Sequence, residues 1–391
     1  MRSVGMKLVY LSPFPLSQDR ATGEWILEGK SWTGVLEYAR LWPGEVVFAT
    51  PGVLPAAAGA TPPGHHRQRI DGSSPVEILV VPPFAQREEQ VASLRGLAPD
   101  VVLTLLHAQA AHLPERLPMV LTAEFTFAIR RDQALASGRA IDKGRAVAGL
   151  LRRERVYRVM VRDALSIQCN GPAAMRAYGP LACDPLGFMD HRITESDVRA
   201  NDTLPPWDGI RPLRLGFSGR WTAIKGPEYA VRAMEVLRDH LPGVTLTMFG
   251  GGDLDGHLRG IAGPDVRFAG FCDFETEWKP LVRETVDLML LPHVQGDPSC
   301  TYYESLGSGA PVIGFPQATL SPLVRDNGVG VVAGRRDARS LAEAVLAAAS
   351  DVGQYQRMRR AGLELVGAET WENVNRSRVE HLVRHAEGGR R

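Results

Sequence analysis

Short, unbroken apolar runs recur along this chain with room for a helix between them: KLVYL at 7–11, EVVFA at 45–49, VEILVV at 76–81, VVLTLL at 101–106 and MVLTAE at 119–124. Runs of this length, rich in Val, Ile and Leu and without polar alternation, suit parallel strands buried on both faces. Between the first two, Trp32, Val35, Leu36 and Ala39 recur at i, i+3, i+4, i+7, which predicts an amphipathic helix opened by Ser31. Parallel strands need such crossovers, so the pattern reads as βαβ units.

A second series begins after NDTLPPWDGIRP, a Pro-rich polar stretch over 201–212 that reads as a linker. LRLGFSG, VTLTMFG, VRFAGF, VDLMLLP, PVIGF and VGVVA supply six strand candidates, with apolar helical stripes at Ala230, Ala233, Met234 and Leu237 and at 341–348. At 391 residues the chain exceeds what one hydrophobic core usually serves. The expectation is therefore α/β, two doubly wound Rossmann-like domains facing a central cleft: residues 1–200, a linker over 201–212, residues 213–370, and a C-terminal helix over 371–391.

Composition narrows the function. A net charge of +1 offers nothing to a polyanion, so no nucleic-acid partner is expected. Cys169, Cys183, Cys272 and Cys300 lie far apart without CxxC pairing, and no His spacing is read as suited to zinc; reduced thiols, a cytoplasmic setting and no structural metal follow. The run LVYL is too brief for a signal peptide or a bilayer span, which predicts a soluble chain. The Arg-rich segment 130–158 mixes charges with apolar positions; it reads as a solvated helical face, with a peripheral contact to an anionic membrane surface as the second reading.

Ligands of open α/β sheets bind at the carboxyl ends of strands, which directs attention to the loops. In FSGRWTAIKG, Gly219 allows close backbone approach and Arg220 and Lys225 stand just before a helix carrying Pro227, an arrangement suited to a diphosphate. GGGDLDG at 250–256 lacks GxGxxG spacing and a Walker lysine, so it reads as a turn rather than a nucleotide-triphosphate loop. Gly270 and Phe271 end a strand and could present backbone and an apolar wall to a base. In HVQGDPSCTYYESLGSGAPVIGF, Ser299, Cys300 and Thr301 precede a helix of small residues whose first acid, Glu304, could accept from ribose hydroxyls.

This ordered set, GR…KG, then strand-G-F, then an acid-bearing loop with E-x-x-x-x-G-x-P-V, resembles the donor-binding half of glycosyltransferase family 4, retaining enzymes of the GT-B fold, over most of residues 211–370. The resemblance implies a hexosyltransferase-type enzyme that moves a sugar from a nucleotide-diphosphate sugar to a hydroxyl acceptor, the donor being a co-substrate, with no metal and no other cofactor. It implies that Arg220 and Lys225 neutralise the diphosphate, that Gly270 and Phe271 meet the base, that Glu304 binds ribose and that Ser299, Cys300 and Thr301 contact phosphate and sugar. The first acid of the family's paired-acid motif falls on Gly296, a departure; Asp297, one residue on, is favoured to replace it, with partial substitution by Gln295 or loss of the contact as the alternatives.

In the first half the resemblance puts Glu124 where the family usually has a His, as a contact to sugar or acceptor. Asn170, ahead of Gly171 and Pro172, is a candidate sugar or acceptor contact, with capping of its own helix the favoured reading. Asp190 falls at the acid of the family's N-G-V-D turn, and Gly23 in its Gly-rich first loop. The resemblance also implies that the C-terminal helix crosses back to the N-terminal domain. The alternatives are a catalytically silent nucleotide-sugar-binding subunit and a sugar-nucleotide epimerase of the same fold.

Overall fold

The computed structural model describes residues 5–56, 61, 64–71, 74–136 and 140–388, with side chains described except at 136 and 140–143. Contacts divide the chain into two compact units, one formed by residues 1–134, 138–188 and 374–391, the other by 135–137 and 189–373.

The first unit holds a seven-stranded sheet in the spatial order Leu186–Phe188, Ser166–Asn170, Met119–Ala123, Val101–Leu105, Met6–Leu11, Gly44–Thr50, Glu77–Val80, with every pairing parallel. All five apolar runs of the N-terminal half are strands of this sheet. Successive residues enter opposite cores: Met6 and Leu8 join Trp32 and Val35, while Val9 and Leu11 join Val102 and Leu121. With both faces covered there is no wet face to demand polar alternation. Val379, Leu382 and Ala386 of the helix Trp371–Gly388 complete one of these cores, so the chain's last helix is built into the first unit.

Three expectations need correction here. The helix Gly29–Leu41 is capped by Glu28, whose carboxylate accepts from the amides of Lys30 (3.3 Å) and Ser31 (2.7 Å), so Ser31 lies inside the helix. Residues 16–68 also hold a separate four-stranded sheet, ordered Val53–Pro55, Leu16–Gln18, Trp25–Glu28, His65–Gln68, which short strands without an apolar run did not announce. The stretch 201–212 is part of the second unit rather than a linker, and the division falls between Phe188 and Met189. Its polar composition hides two anchors: Trp207 is buried in the second unit's core, and Arg211 holds the buried Asp287 through a two-pronged ion pair at 2.6 and 2.7 Å.

The second unit holds a six-stranded parallel sheet in the order Val266–Gly270, Thr245–Phe249, Arg214–Ser218, Leu288–Leu291, Val312–Gly314, Gly330–Val332. All six strand candidates of this half are present. Leu288 and Leu290 face one core, Met289 and Leu291 the other. The strand order reverses between Arg214–Ser218 and Leu288–Leu291, the switch point at which open α/β sheets bind ligands beyond the carboxyl ends of their strands.

Candidate functional site

Two loops leave the strands at that switch point. The first runs from Gly219 to Gly226 and enters the helix Pro227–His240; the second leaves Leu291 and enters the helix Thr301–Gly307. Gly226 adopts φ +67°, and a Cβ there would stand 2.2 Å from the carbonyl oxygen of Pro292, so only glycine lets the loops meet. A backbone bond from the Val294 amide to Ile224 O (3.0 Å) ties them together.

This closure brings Lys225 and Asp297 into an ion pair, Nζ to Oδ2 at 2.8 Å, with side chains only 8% and 13% exposed. The other carboxylate oxygen, Oδ1, is buried without a hydrogen-bond partner. A buried acceptor in that state is costly, and it is the kind of group a ligand hydroxyl can satisfy. Gly296, where the resemblance places an acid, has its Cβ position 3.1 Å from both Ala318 Cβ and Ala318 N. There is little room for a side chain at 296, and the acid stands at 297. Gln295, the other candidate, is buried.

Glu304 lies in the first turn of the helix Thr301–Gly307, almost fully buried, and its Oε1 accepts from Arg192 Nε at 2.9 Å. Arg192 in turn lies over the Phe274 ring, 3.5 Å from its centroid, and Phe274 stacks on Trp278 at 5.1 Å. Burial works against the guanidinium's charge, but the carboxylate of Glu304, with Cys300 and Asp190 adding to it, more than offsets that and holds the pKa above the usual value. Arg192 was missed in the sequence: it stands 112 residues from its partner, with no local pattern to mark it. Asp190 lies two residues before it, half-buried.

Ser299 and Thr301 are buried, and Ser299 Oγ donates to Thr301 Oγ1 at 3.3 Å. The Ser299 amide is already engaged by Asp297 O at 2.9 Å, so it is not offered to a phosphate. Cys300 occupies the position just before the helix, where its side chain makes no capping bond. Beneath the loop, Tyr302 OH meets His293 Nδ1 at 3.1 Å and accepts from Gln317 Nε2 at 2.6 Å. Burial, then the charge of Lys225, pushes the His293 pKa well below its ordinary value, so the ring is neutral.

The neighbouring strand ends are sewn together through backbone. Gly219 N donates to Phe249 O (3.2 Å), Gly250 N to Gly270 O (2.7 Å) and Trp221 N to Gly251 O (2.8 Å). At Gly250 a Cβ would fall 2.0 Å from Gly219 O. The GGGDLDG segment is thus a fixed lining against Trp221 at its start, passing into the helix Asp255–Ile261, rather than a loose turn. Arg220 and Phe271 project from this frame into solvent, Phe271 60% exposed.

In the first unit, Glu124 directly follows Met119–Ala123, and Asn170 ends the neighbouring strand. Asn170 makes no side-chain capping bond; its Nδ2 donates to Glu124 Oε1 at 3.4 Å, which corrects the cap expectation. His107 follows the next strand along, Val101–Leu105, with Nε2 buried and without a hydrogen-bond partner. Burial, then the nearby His112, pushes its pKa down to about 4, leaving a neutral imidazole. Gly23 sits in the hairpin between Leu16–Gln18 and Trp25–Glu28, its amide donating to Asp19 O at 2.8 Å.

Comparison with known proteins gives this geometry a context. Residues 212–351 match the family model described as Glycosyl transferases group 1. The chain is 24% identical over 240 residues to the D-inositol 3-phosphate glycosyltransferase of Paenarthrobacter aurescens, a match covering 57% of this chain and 58% of that relative. Among solved structures it resembles sucrose-phosphate synthase from Thermosynechococcus elongatus (TM-score 0.66, 15% identity, 98% and 99% of the two chains). It also resembles HepE from Anabaena in complex with UDP and glucose (TM-score 0.60, 14% identity, 97% and 99%). A third likeness is to WaaG, a glycosyltransferase involved in lipopolysaccharide biosynthesis (TM-score 0.60, 12% identity, 96% and 99%). The fold is GT-B, and the family match supports reading residues 212–351 as a glycosyltransferase domain.

Proposed function

We propose that this chain is a glycosyltransferase that moves a sugar from a nucleotide-diphosphate sugar to a hydroxyl acceptor, with retention at the anomeric carbon. The observation that carries the reading is the buried Lys225–Asp297 pair at the point where the second sheet reverses its strand order, inside the segment that matches the glycosyltransferase model.

Departure of the nucleoside diphosphate builds negative charge on its terminal phosphate. Lys225 meets that charge from a fixed position, and Arg220 reaches it from the exposed loop. Asp297 Oδ1 accepts from a hydroxyl of the transferred sugar. Glu304, held by Arg192, accepts from the ribose hydroxyls, and Phe271 with Gly270 lines the base. The acceptor hydroxyl attacks on the face from which the diphosphate leaves, and its proton passes to the departing phosphate oxygen, so no side chain has to act as base. In the first unit, Glu124 with Asn170 hydrogen-bonds a hydroxyl of the acceptor.

The test is release of nucleoside diphosphate from a panel of nucleotide sugars, with and without hydroxyl acceptors. Turnover of at least one donor, lost on Lys225→Ala, is expected. No release from any donor would leave a nucleotide-sugar-binding subunit, and an isomerised donor without acceptor would indicate an epimerase.

A lipid-linked acceptor is the reading favoured by the helix Ala140–Asp163. Leu151 and Val159, each 50% exposed, share its solvent side with Arg152, Arg155 and Arg162, a mixture suited to an anionic membrane surface. The contact proposed here is peripheral and at the cytoplasmic face; among the described residues no helix is long and apolar enough to cross a membrane. Co-sedimentation with anionic but not zwitterionic vesicles is the corresponding measurement.

A further inference from the structure

We propose that Asp184, His381 and His385 of the first unit bind a divalent transition-metal ion, with Zn2+ the best match to the donor set. The two histidines stand four residues apart on the helix Trp371–Gly388, a spacing that puts both imidazoles on one helix face. Asp184 comes from the segment just before the strand Leu186–Phe188, so two separate elements converge. Its Oδ2 lies 3.4 Å from His385 Nε2 and 3.8 Å from His381 Nε2, and the three ligand atoms all fall within 4.8 Å of one another. Bonds of about 2.0–2.1 Å in a tetrahedron imply ligand separations of roughly 3.3–3.4 Å, so the trio is close to a binding arrangement before any ion arrives. Two nitrogens and one carboxylate oxygen, with a fourth position for water, are a common zinc set.

A second observation points the same way. His385 Nε2 is buried and has no hydrogen-bond partner, although it faces the carboxylate.

Two groups oppose binding and set its cost. Arg384 reaches Asp184 Oδ2 at 3.2 Å, but its side chain is 57% exposed and can turn into solvent. His381 Nε2–H donates to the Asp184 carbonyl at 2.8 Å and lies 3.2 Å from Ser166 Oγ, while Nδ1 faces Gln168 Nε2 at 3.3 Å. Ligation by Nε2 moves that proton to Nδ1, and Gln168 must then turn its carboxamide oxygen to receive it, giving up its bonds with Arg378: Nε2 to the Arg378 carbonyl at 2.9 Å and Oε1 from Arg378 Nε at 2.9 Å. The ion would pin the chain's last helix to the segment before Leu186–Phe188, with a structural rather than a catalytic consequence, independent of the sugar-transfer reading.

The test uses the full chain without an added histidine tag, stripped of metal, titrated with Zn2+ against a chromophoric chelator and with Co2+ followed by visible absorption. One equivalent should bind, Co2+ should show the intense bands of a tetrahedral site, and Zn2+ should raise the melting midpoint. His385→Gln and Asp184→Asn, both at partly exposed positions where folding is expected to survive, should each weaken binding by at least ~10-fold and abolish the midpoint shift. Cys183→Ser, which removes the exposed thiol next to Asp184, should leave binding intact. No binding above the chelator, or binding that survives both variants or is lost only with Cys183→Ser, overturns the proposal.

Discussion

Asp297→Asn separates what this carboxylate does for the fold from what it does for a ligand. The Lys225–Asp297 pair is held almost entirely out of water, with side chains 8% and 13% exposed and 2.8 Å between charged atoms. Removing one member of such a pair strands the other charge in a poorly solvating place, at about 3–5 kcal/mol. Asn keeps an oxygen within hydrogen-bond reach of Nζ, so the lower end applies, about 3 kcal/mol. For a unit the size of residues 189–373, each kcal/mol moves the melting midpoint by roughly 2–4 °C, which puts the fall at about 6–12 °C. Lys225→Met should cost more, because Asp297 Oδ1 already lacks a partner and the whole carboxylate would then be unpaired. The double change to Met and Leu should recover much of the loss, since neither charge remains to be solvated. Asp297→Asn also releases the ammonium from its resting partner, so a nucleoside diphosphate should bind more tightly to the variant and restore part of its midpoint. The assay is thermal unfolding of the three variants and the parent, each with and without UDP, GDP and ADP. A midpoint for Asp297→Asn within about 2 °C of the parent would refute the argument that the pair is buried and coupled.

Arg192→Ala should raise KM for the donor more than it lowers kcat, because it disorders Glu304 without touching the reacting atoms, and Arg192→Lys should restore part of the affinity; equal KM in parent and Ala variant would remove Arg192 from the site. Gly226→Ala should lower unfolding stability by about 2 kcal/mol or more, combining a left-handed backbone with a Cβ 2.2 Å from Pro292 O, and a denaturant midpoint equal to the parent's would refute it. For His107 the folded pKa, about 4, lies below the unfolded value of 6.5, so between those limits the unfolded chain takes up a proton that the folded chain refuses. The stability it contributes is therefore full above pH 6.5 and lost as pH falls toward 4, at up to about 1.4 kcal/mol per pH unit. His107→Gln should flatten the stability profile in that window when urea unfolding is followed from pH 4.5 to 7.5, and an unchanged slope would exclude this histidine as the source.

The strands were legible because a buried parallel strand must be apolar on both faces, and stretches such as VDLMLLP have no other use in a chain of this composition. Lys225 and Glu304 were legible because each stands at a fixed place after such a strand. Asp297 was noticed only as a residue out of register; the crowding of position 296 by Ala318, from a loop that no local pattern connects to it, is visible only once the chain is folded. Arg192 and His107 were not singled out because their significance lies in partners or vacancies formed by folding. The 201–212 stretch misled because Pro and Asp describe its surface, whereas Trp207 and Arg211 decide where it sits. The H-x-x-x-H spacing of His381 and His385 was passed over when no histidine spacing was read as suited to zinc, because the third member of the cluster, Asp184, stands nearly two hundred residues earlier.

In the second unit, the contour of the strand ends is made by main chain and the glycines that let it approach, while the exposed groups there, Arg220 and Phe271, hang from the contour without supporting it. Form and selectivity are therefore written in different positions. If the proposed function holds, a lineage carrying this frame can exchange the residues at 220 and 271 one codon at a time, each step leaving a folded protein, whereas a change at Gly226 or Gly250 strains the frame itself. Such a division makes the proposed donor side a ready starting point for laboratory evolution, with randomisation confined to 220 and 271 and the glycines held constant.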